Sequence, residues 1–435
     1  MKVVVKGVKT RTLSEIIKKI ELGTSKVITV QEFIERIEDG EEIKFEDVDV
    51  ITTATKGLMS GILGILSFRL TPPKTLRKFI EVSINGIPVF PGPCPNEYLG
   101  IVDLIIYGTA QSQTRKNYCG GSLFRDLVEG KAISVVAKSS EGEIIKKEMR
   151  LEDMQFAKLM GTRQSIKNYN AMINCESHEV NTIFSGLPFK PNKSEITFSG
   201  CGALNPFQND PEFESFGVGS PLLVNGSTGY LMGPGTRNYV AKPNMMTIAP
   251  FNSMKPEYMG AFKTSYGLEP ICSIAVPIPI LNERILENIV RSDKDVKLNI
   301  LSLVGREKVA QISYGDVWDK NYLMIFDSSA CKTCKECSVP ETCPTDAFIM
   351  KKGVITGIDR SRCFNCGTCS ILCPDAFKLD LKTIKFEGND VPIVLRQSDR
   401  NGAILLAKEL KKMILNGKFP LRRPTGTLDF ADSVK

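Results

Sequence analysis

Hydrophobic residues along this chain switch between two spacings, and the switches mark out its elements. Leu13, Ile16, Ile17 and Ile20 recur at helical spacing. A second helical run covers residues 30–37 and ends near Asp39-Gly40. At Val48 the pattern changes to an apolar run of strand type, Val-Asp-Val-Ile-Thr-Thr. It leads into a Thr/Gly/Ser-rich turn over residues 52–61. Were a helix to follow that turn, its free amides would suit an anionic ligand. Residues 79–84, 101–107 and 132–137 read as strands, and 123–128 as a short helix. Residues 151–174 read as helical and polar on one face. Residues 192–236, rich in Gly, Asn and Pro, read as strands and loops, with Asn225-Gly226 as a hairpin signal. Residues 271–280 are apolar but interrupted by Pro277 and Pro279. No clean βαβ repeat emerges, so the expected body is α/β of the mixed, α+β kind.

Toward the C-terminus the pattern repeats itself. Short apolar segments at 323–326 and 347–350 flank one cysteine run, and segments at 354–359 and 376–380 flank another, a pseudo-twofold arrangement. After it, residues 399–415 predict an amphipathic helix. Ala403, Leu406, Ala407, Leu410, Met413 and Ile414 form its stripe, with Lys408, Glu409, Lys411 and Lys412 off it. Packing of that stripe on the rest of the chain is the simpler expectation, and a docking face for a partner the other. The expected organisation is a body over residues 1–320, a cysteine-rich domain over 321–395, and a helix with a basic tail over 396–435.

The cysteines change the picture most. The first run is Cys331-x2-Cys334-x2-Cys337-x5-Cys343-Pro344, and the second is Cys363-x2-Cys366-x2-Cys369-x3-Cys373-Pro374. The second has the spacing of bacterial two-cluster ferredoxins. The first departs from it only by a longer last gap. Three thiolates at this spacing wrap one cube within a tight turn, and the proline stops the loop from continuing as a helix. In that arrangement the fourth Cys of each run serves the other cluster. Two 4Fe–4S clusters are therefore expected, one on Cys331, Cys334, Cys337 and Cys373, the other on Cys363, Cys366, Cys369 and Cys343. A zinc site takes four ligands in two pairs, which two overlapping runs of four do not offer. The C-terminal fold is expected to be bacterial-ferredoxin-like.

The bulk numbers narrow the rest. The 435 residues suffice for two or three domains, and 42% hydrophobic with 24% charged residues is ordinary for a soluble protein. No apolar stretch reaches bilayer-spanning length, the nearest being residues 57–70, and the N-terminus lacks an apolar signal core. A cytoplasmic protein without a membrane span is expected. The net charge is +7, with basic residues at both ends (Lys2, Lys6, Lys9 and Arg11; Lys411, Lys412, Lys418, Arg422 and Arg423). These are not interleaved with stacking aromatics, so a solvated surface is expected rather than a nucleic-acid partner. A basic face could also attract anionic small substrates.

Of 13 cysteines, five lie outside the two runs: Cys94, Cys119, Cys175, Cys201 and Cys272. Cys119 is the expected catalytic thiol. Arg115 and Lys116 precede it, and Gly120, Gly121 and a helix start that Ser122 would cap follow it. Cations and a helix N-terminus both favour the thiolate. Cys94, in a proline-rich turn, is a possible second redox or relay thiol, Cys201 lies between glycines, the role of Cys175 stays open, and Cys272 reads as a buried apolar residue. His178 reads as a surface or satisfied histidine. Lys56 could form a Schiff base or hold an anion, though a plain surface lysine is the simpler reading. The glycines at 217 and 219 and at 233 and 235 are weak phosphate-loop signals. Arg163 and Arg237 are candidate forks for a carboxylate or sulfonate.

Several of these segments resemble the L-aspartate-semialdehyde sulfurtransferase family, the sulfur-incorporation enzymes of homocysteine biosynthesis: residues 52–61, 119–127, 160–169, 200–211 and 225–237. With the two cysteine runs added, the whole chain resembles the methanogenesis marker protein 16 metalloproteins. The resemblance implies conversion of a small anionic aldehyde to a thiol through an enzyme persulfide, with Cys119 as the persulfide cysteine by its Cys-Gly-Gly segment. It implies as partners a sulfide or persulfide donor and a low-potential electron donor. Aspartate semialdehyde is the first candidate substrate, sulfoacetaldehyde or another thiol-coenzyme precursor the second. A non-catalytic electron carrier or cofactor-maturation subunit is the alternative of a different class. The chemistry is consistent with a built-in carrier, because making a thiol from an aldehyde and sulfide takes two electrons. A cluster at roughly −400 mV is reducing enough for a disulfide-like bond near roughly −300 mV.

Overall fold

The two helical runs near the start form helices Leu13–Glu21 and Val30–Glu38 for the same reason. Thr12 and Thr29 each accept the amide three residues on, and Glu15 and Glu32 close back on the threonine amides. The computed structural model describes residues 9–92, 97–167, 169–289, 292–319 and 322–432. The body they build is mixed α+β. It holds a sheet of 14 strands, antiparallel but for one pairing, and a second, mixed sheet of six in which two of the five pairings are parallel.

The strand Val50–Leu58 is buried along nearly its whole length. It pairs antiparallel with Leu268–Pro279, from Leu58 opposite Ile271 to Val50 opposite Pro279. Its buried hydroxyls are satisfied within the protein: Thr52 donates to the Ala407 carbonyl (2.9 Å) and Thr53 to Asn209 Oδ1 (2.6 Å). Pro277 and Pro279 do not end the opposite strand. Its other neighbour, Pro221–Val224, pairs only at Ile274 and Ala275, so one edge of the proline-bearing end has no ladder to satisfy.

Two sequence expectations are corrected here. No helix follows residues 52–61. The strand runs on to Leu58, the chain turns, and Ile62–Arg69 is another strand. Burial in that strand alternates strictly, with Ile62, Leu66 and Phe68 inward, which is the period of a strand and not of a helix. Residues 151–174 are not helical either. Phe156–Gln164 is a strand filling the slot between Ile62–Arg69 and Met245–Pro250. Ala171–Ile173 joins the second sheet between Ile196–Phe198 and Lys297–Ser302. The helix-favouring Lys, Leu, Met and Gln of this stretch are overridden by a two-sided ladder whose partners are distant in sequence. The hairpin at Asn225-Gly226 does form, with φ of 50° and 86° at the two residues, the left-handed pair a tight hairpin needs.

The cysteine runs sit in a small unit made of two short ladders. Ile325–Phe326 pairs with Phe377–Lys378, and Phe348–Lys351 with Val354–Ile358. The short helices Ser338–Thr342 and Thr368–Leu372 precede Cys343 and Cys373, so the two halves mirror each other. The chain then re-enters the body: Asn389–Arg396 lies parallel to Ile196–Phe198 in the six-stranded sheet, and Thr383–Phe386 flanks it. The helix Arg400–Leu415 follows, capped by Asp399, which accepts the Gly402 amide at 3.0 Å. Its stripe of Ala403, Leu406, Ala407, Leu410 and Ile414 is buried and packs on Val50–Leu58, Val27–Thr29 and Leu268–Pro279. The chain's own body covers the apolar face of this helix.

Arg125, on helix Gly120–Val128, ties the small unit to the body. Its guanidinium donates to the carbonyls of Pro256 (2.7 Å) and Ser361 (3.2 Å), to Ser361 Oγ (3.0 Å) and to Glu129 (2.6 Å). Arg362 reaches the same Glu129, Lys263 pairs with Asp346, and Phe262 meets Phe364 edge-on at 5.3 Å. Arg125→Ala leaves the half-buried carbonyls of Pro256 and Ser361 without this donor and removes one of the three cations on Glu129. It is expected to lower unfolding free energy by about 3 kcal/mol. Amide exchange should speed up selectively around residues 344–346 and 361–364, a pattern that hydrogen-exchange mass spectrometry would reveal.

Candidate functional site

Three of the segments singled out in the sequence come together at one cleft of about 710 Å³. The end of strand Val50–Leu58 and the turn after it supply Thr55, Gly57 and Ser60. The end of Phe156–Gln164 and the loop beyond supply Arg163, Ser165 and Tyr169, and Ser199 with Gly200 closes the floor. Ser398 pins this floor. Its hydroxyl accepts the Gly200 amide at 2.7 Å, and its backbone bridges to Gly57. A Cβ at Gly57 would stand 3.2 Å from Ser398 Oγ and 3.3 Å from the Gln397 carbonyl, which explains a glycine there.

Two charged side chains line the cleft. Arg163 has no ion pair among the described residues and lies within electrostatic reach of Glu269. Glu269 opens the strand Leu268–Pro279. Burial raises its carboxyl above the ordinary carboxylate range, against the opposing pull of Ser60 and Arg163. Among the described residues its Oε2 is buried without a hydrogen-bond partner. Sequence reasoning missed this residue, because a single carboxylate ahead of an apolar run carries no spacing signal.

Cys201 lies under the floor, fully buried, its sulfur 3.6 Å from the Thr55 hydroxyl and 3.7 Å from the Lys56 carbonyl. Cys119 is at the N-cap of helix Gly120–Val128, and it is Ser122 that reaches back to it, accepting the Cys119 amide at 3.4 Å with its oxygen 3.9 Å from the sulfur. The glycines after it permit a close approach: a Cβ at Gly120 would stand 2.2 Å from the Tyr107 carbonyl, and one at Gly121 2.5 Å from the Gly260 carbonyl. The expected lowering of the thiol pKa is not what the structure produces. Cys119 is wholly buried, and burial pushes the thiol up. The Ser122 and Gly121 amides only partly offset this, and the Glu269 carboxylate pushes the same way as burial. Arg115, close in sequence, packs over the Tyr118 ring at 5.2 Å. Alkylation of Cys119 in the folded protein should therefore be slow at neutral pH and accelerate as pH rises past the ordinary thiol range, because only the thiolate reacts. Peptide mapping by mass spectrometry across pH checks this, and a rate already at its plateau at neutral pH would contradict it.

Lys56 is not the surface lysine expected. Its ammonium is buried against Asp399 Oδ2 (2.8 Å) and the Glu257 carbonyl (2.7 Å). Arg237 is exposed and does not line the cleft, and His178 is exposed. Cys272 is fully buried, as expected, and accepts from Gln164 at 3.1 Å. Cys175 is half-buried against the core, and Cys94 lies outside the described residues. Gly217 and Gly219 flank Val218, which pairs with Gly426, so that loop is occupied by the chain's own C-terminal segment.

In the small unit, Cys343 of the first run lines the same cavity as Cys363, Cys366 and Cys369 of the second. Cys331, Cys337 and Cys373 pack on the core that also meets Cys363 and Cys369, while Cys334 is exposed. Among the described residues, no three His, Cys, Asp or Glu side chains are gathered as a single metal ion would need. Four sulfurs around a wider, anionic group must stand further apart. Donors suited to such a group are present. The Ala347 amide reaches Cys343 Sγ at 3.4 Å, and the Thr368 hydroxyl lies 3.4 Å from Cys366 Sγ. Arg396 is in electrostatic reach of Cys366 and Cys363, held between Trp318 and Tyr322 at 4.6 and 4.7 Å from their rings and donating to the Asn365 carbonyl at 2.8 Å. Burial pulls this guanidinium down to about 10, so it keeps its charge at neutral pH.

A family described as homocysteine biosynthesis enzyme, sulfur-incorporation, matches residues 25–421. An uncharacterized protein of Methanothermobacter thermautotrophicus is 40% identical over 411 residues, 94% of each chain. The L-aspartate semialdehyde sulfurtransferase of Methanosarcina acetivorans is 30% identical over 323 residues, 71% of this chain and 62% of that protein. A short match of 44 residues, 41% identical, is to an uncharacterized ferredoxin of Methanocaldococcus jannaschii and covers 10% of this chain and 28% of the ferredoxin. No solved structure matches the chain.

Proposed function

The chain belongs to the family of sulfur-incorporating homocysteine biosynthesis enzymes, and we propose that it is an iron–sulfur sulfurtransferase reducing a small anionic aldehyde to a thiol, with aspartate semialdehyde to homocysteine as the first candidate reaction. The observation that carries this reading is the convergence of residues 55–60, the segment of Arg163, Ser165 and Tyr169, and residues 199–200 on one cleft, with Arg163 in no ion pair among the described residues. A guanidinium free to form two parallel hydrogen bonds suits the carboxylate of such a substrate, and equally the sulfonate of sulfoacetaldehyde. Cys119 carries the sulfur as a persulfide, formed by transfer of sulfane sulfur from a persulfide donor whose own thiol is released. Cys201 is a second candidate, favoured by its place under the cleft floor.

The electron balance requires a reductant. Aldehyde, sulfide, two electrons and two protons give thiol and water. If sulfur arrives as a persulfide, cleaving its S–S bond takes two electrons more. Cys331, Cys334, Cys337 and Cys373 would hold one 4Fe–4S cluster, and Cys363, Cys366, Cys369 and Cys343 the other; when bound, these groups supply electrons one at a time. Cys334 is exposed, whereas Cys343 and Cys366 are buried and Cys366 packs with Phe262 and Ile271 of the body, so the second set is the one that would face the body.

Arg396 should tune that electron supply. A buried positive charge stabilises the more negative, reduced state, so Arg396→Gln is expected to shift one midpoint potential negative by about 60 mV, tenfold in a one-electron equilibrium. Redox titration followed by electron paramagnetic resonance reads this, and an unchanged potential would remove Arg396 from the redox site. The function itself is tested by incubating the cluster-loaded protein anaerobically with a persulfide donor or, in parallel, with sulfide, together with a low-potential reductant and, separately, aspartate semialdehyde and sulfoacetaldehyde. A thiol product identified by mass spectrometry names the substrate. No thiol from either, with clusters that still cycle, would sink both substrates.

A further inference from the structure

We propose that Glu269 is the proton donor of the cleft, protonating the aldehyde oxygen as sulfur adds and, once recharged from solvent, again as that oxygen departs as water. This rests on the sulfurtransferase reading and adds to it the residue that handles the proton. Among the described residues Glu269 is the one carboxylate that lines the cleft, and its Oε2 is buried without a hydrogen-bond partner. A buried carboxyl oxygen without a donor is costly as an anion, but as a protonated acid it has a hydrogen to give. The titratable and charged groups facing it are Arg163, from the strand Phe156–Gln164, and Cys119, at the start of helix Gly120–Val128. Glu269 thus lies within electrostatic reach of both the group suited to the substrate's anionic end and the thiol proposed to carry sulfur.

The arrangement also couples binding to chemistry. Arg163 favours the ionised carboxylate while the cleft is empty. An anionic substrate that engages Arg163 neutralises that influence, so substrate binding itself strengthens the hold of Glu269 on its proton. The step balances as follows. Hydrosulfide, released when two electrons from the low-potential donor cleave the carrier persulfide, adds to the carbonyl carbon, a C–S bond forms, the π pair moves to oxygen, and oxygen takes the Glu269 proton. A second proton then lets the C–O bond break, releasing water, and the S–H proton leaves to give C=S. Two electrons from the low-potential donor and two protons reduce C=S to the thiol.

Glu269→Gln keeps the shape but has no proton to give. In the full, cluster-loaded chain it should lower kcat about 100-fold or more, with KM within a few-fold of wild type. Wild-type kcat/KM should fall as pH rises through the acid's titration, and the variant should lose that limb. Glu269→Asp should recover part of the rate. Without turnover, difference infrared spectroscopy should show a protonated-carboxyl stretch in wild type that is missing from the Gln variant at the same pH. Wild-type turnover with an intact pH limb in Glu269→Gln, or no infrared difference between the two, would overturn the proposal. If wild type makes no thiol from any aldehyde while its clusters cycle, the sulfurtransferase reading falls first, and that is read from the control before any variant.

Discussion

Cys119→Ala should reduce thiol formation by about 1000-fold or more, while iron content and cluster absorption stay at wild-type levels. Loss of a covalent sulfur carrier cannot be compensated by binding alone, and single nucleophile deletions routinely cost this much. The effect is separable from misfolding. Cys119 is buried at a helix N-cap, but the capping bond there is made by its backbone amide to Ser122, which alanine keeps. Removing one buried sulfur should cost only about 1 kcal/mol. The same assay on Cys201→Ala separates the two thiols. If Cys201→Ala is inactive and Cys119→Ala is near wild type, the roles are exchanged. If both variants turn over normally, sulfide is used directly and no enzyme persulfide forms. Trapping the persulfide on one of these peptides by mass spectrometry gives an independent answer.

What could be read from the sequence was what is local. The helices at Leu13–Glu21, Val30–Glu38 and Arg400–Leu415 each carry their own periodicity and a capping residue within four positions, so they needed no tertiary information. The hairpin at Asn225-Gly226 carried its turn chemistry in two residues. Residues 151–174 misled because the deciding fact, a slot between Ile62–Arg69 and Met245–Pro250, lies about 90 residues away on either side. The site divides in the same way. The segments around Thr55, Arg163 and Gly200 were noticed one by one, but only folding brings them to one cleft. Arg115 misled because adjacency to Cys119 in sequence is not adjacency to its sulfur, and burial outweighs both helix amides. Glu269 was invisible because its meaning lies wholly in what surrounds it. Lys56 looked like a surface residue because its partner, Asp399, is 343 positions away.

That pair carries the second large effect: Lys56→Met should destabilise the protein by about 3–5 kcal/mol, the usual penalty for orphaning a buried charge. Both side chains are almost wholly out of solvent, at 7% and 4% exposure, so water cannot rescue the carboxylate left behind. Asp399 serves three bonds at once. It accepts Lys56, caps the helix Arg400–Leu415 through the Gly402 amide, and donates its own amide to the Lys56 carbonyl at 2.9 Å. Gly402 leaves the room for this, since a Cβ there would stand 2.6 Å from both Lys56 Cδ and Asp399 Oδ2. Lys56→Met with Asp399→Asn removes both charges but retains a capping oxygen, so the double variant should recover about 2 kcal/mol relative to the sum of the single changes. Urea unfolding of the four proteins completes the cycle. The loss should change little between low and high salt, because a buried pair is poorly screened. Activity should fall with stability, since Gly57 and Ser398, the neighbours of the two charges, form the floor of the cleft. Reduction with borohydride in the presence of an aldehyde should leave Lys56 unmodified, because its ammonium is already committed to Asp399. A trapped adduct at Lys56 would mean that the ion pair opens during turnover and that this lysine takes part in the chemistry.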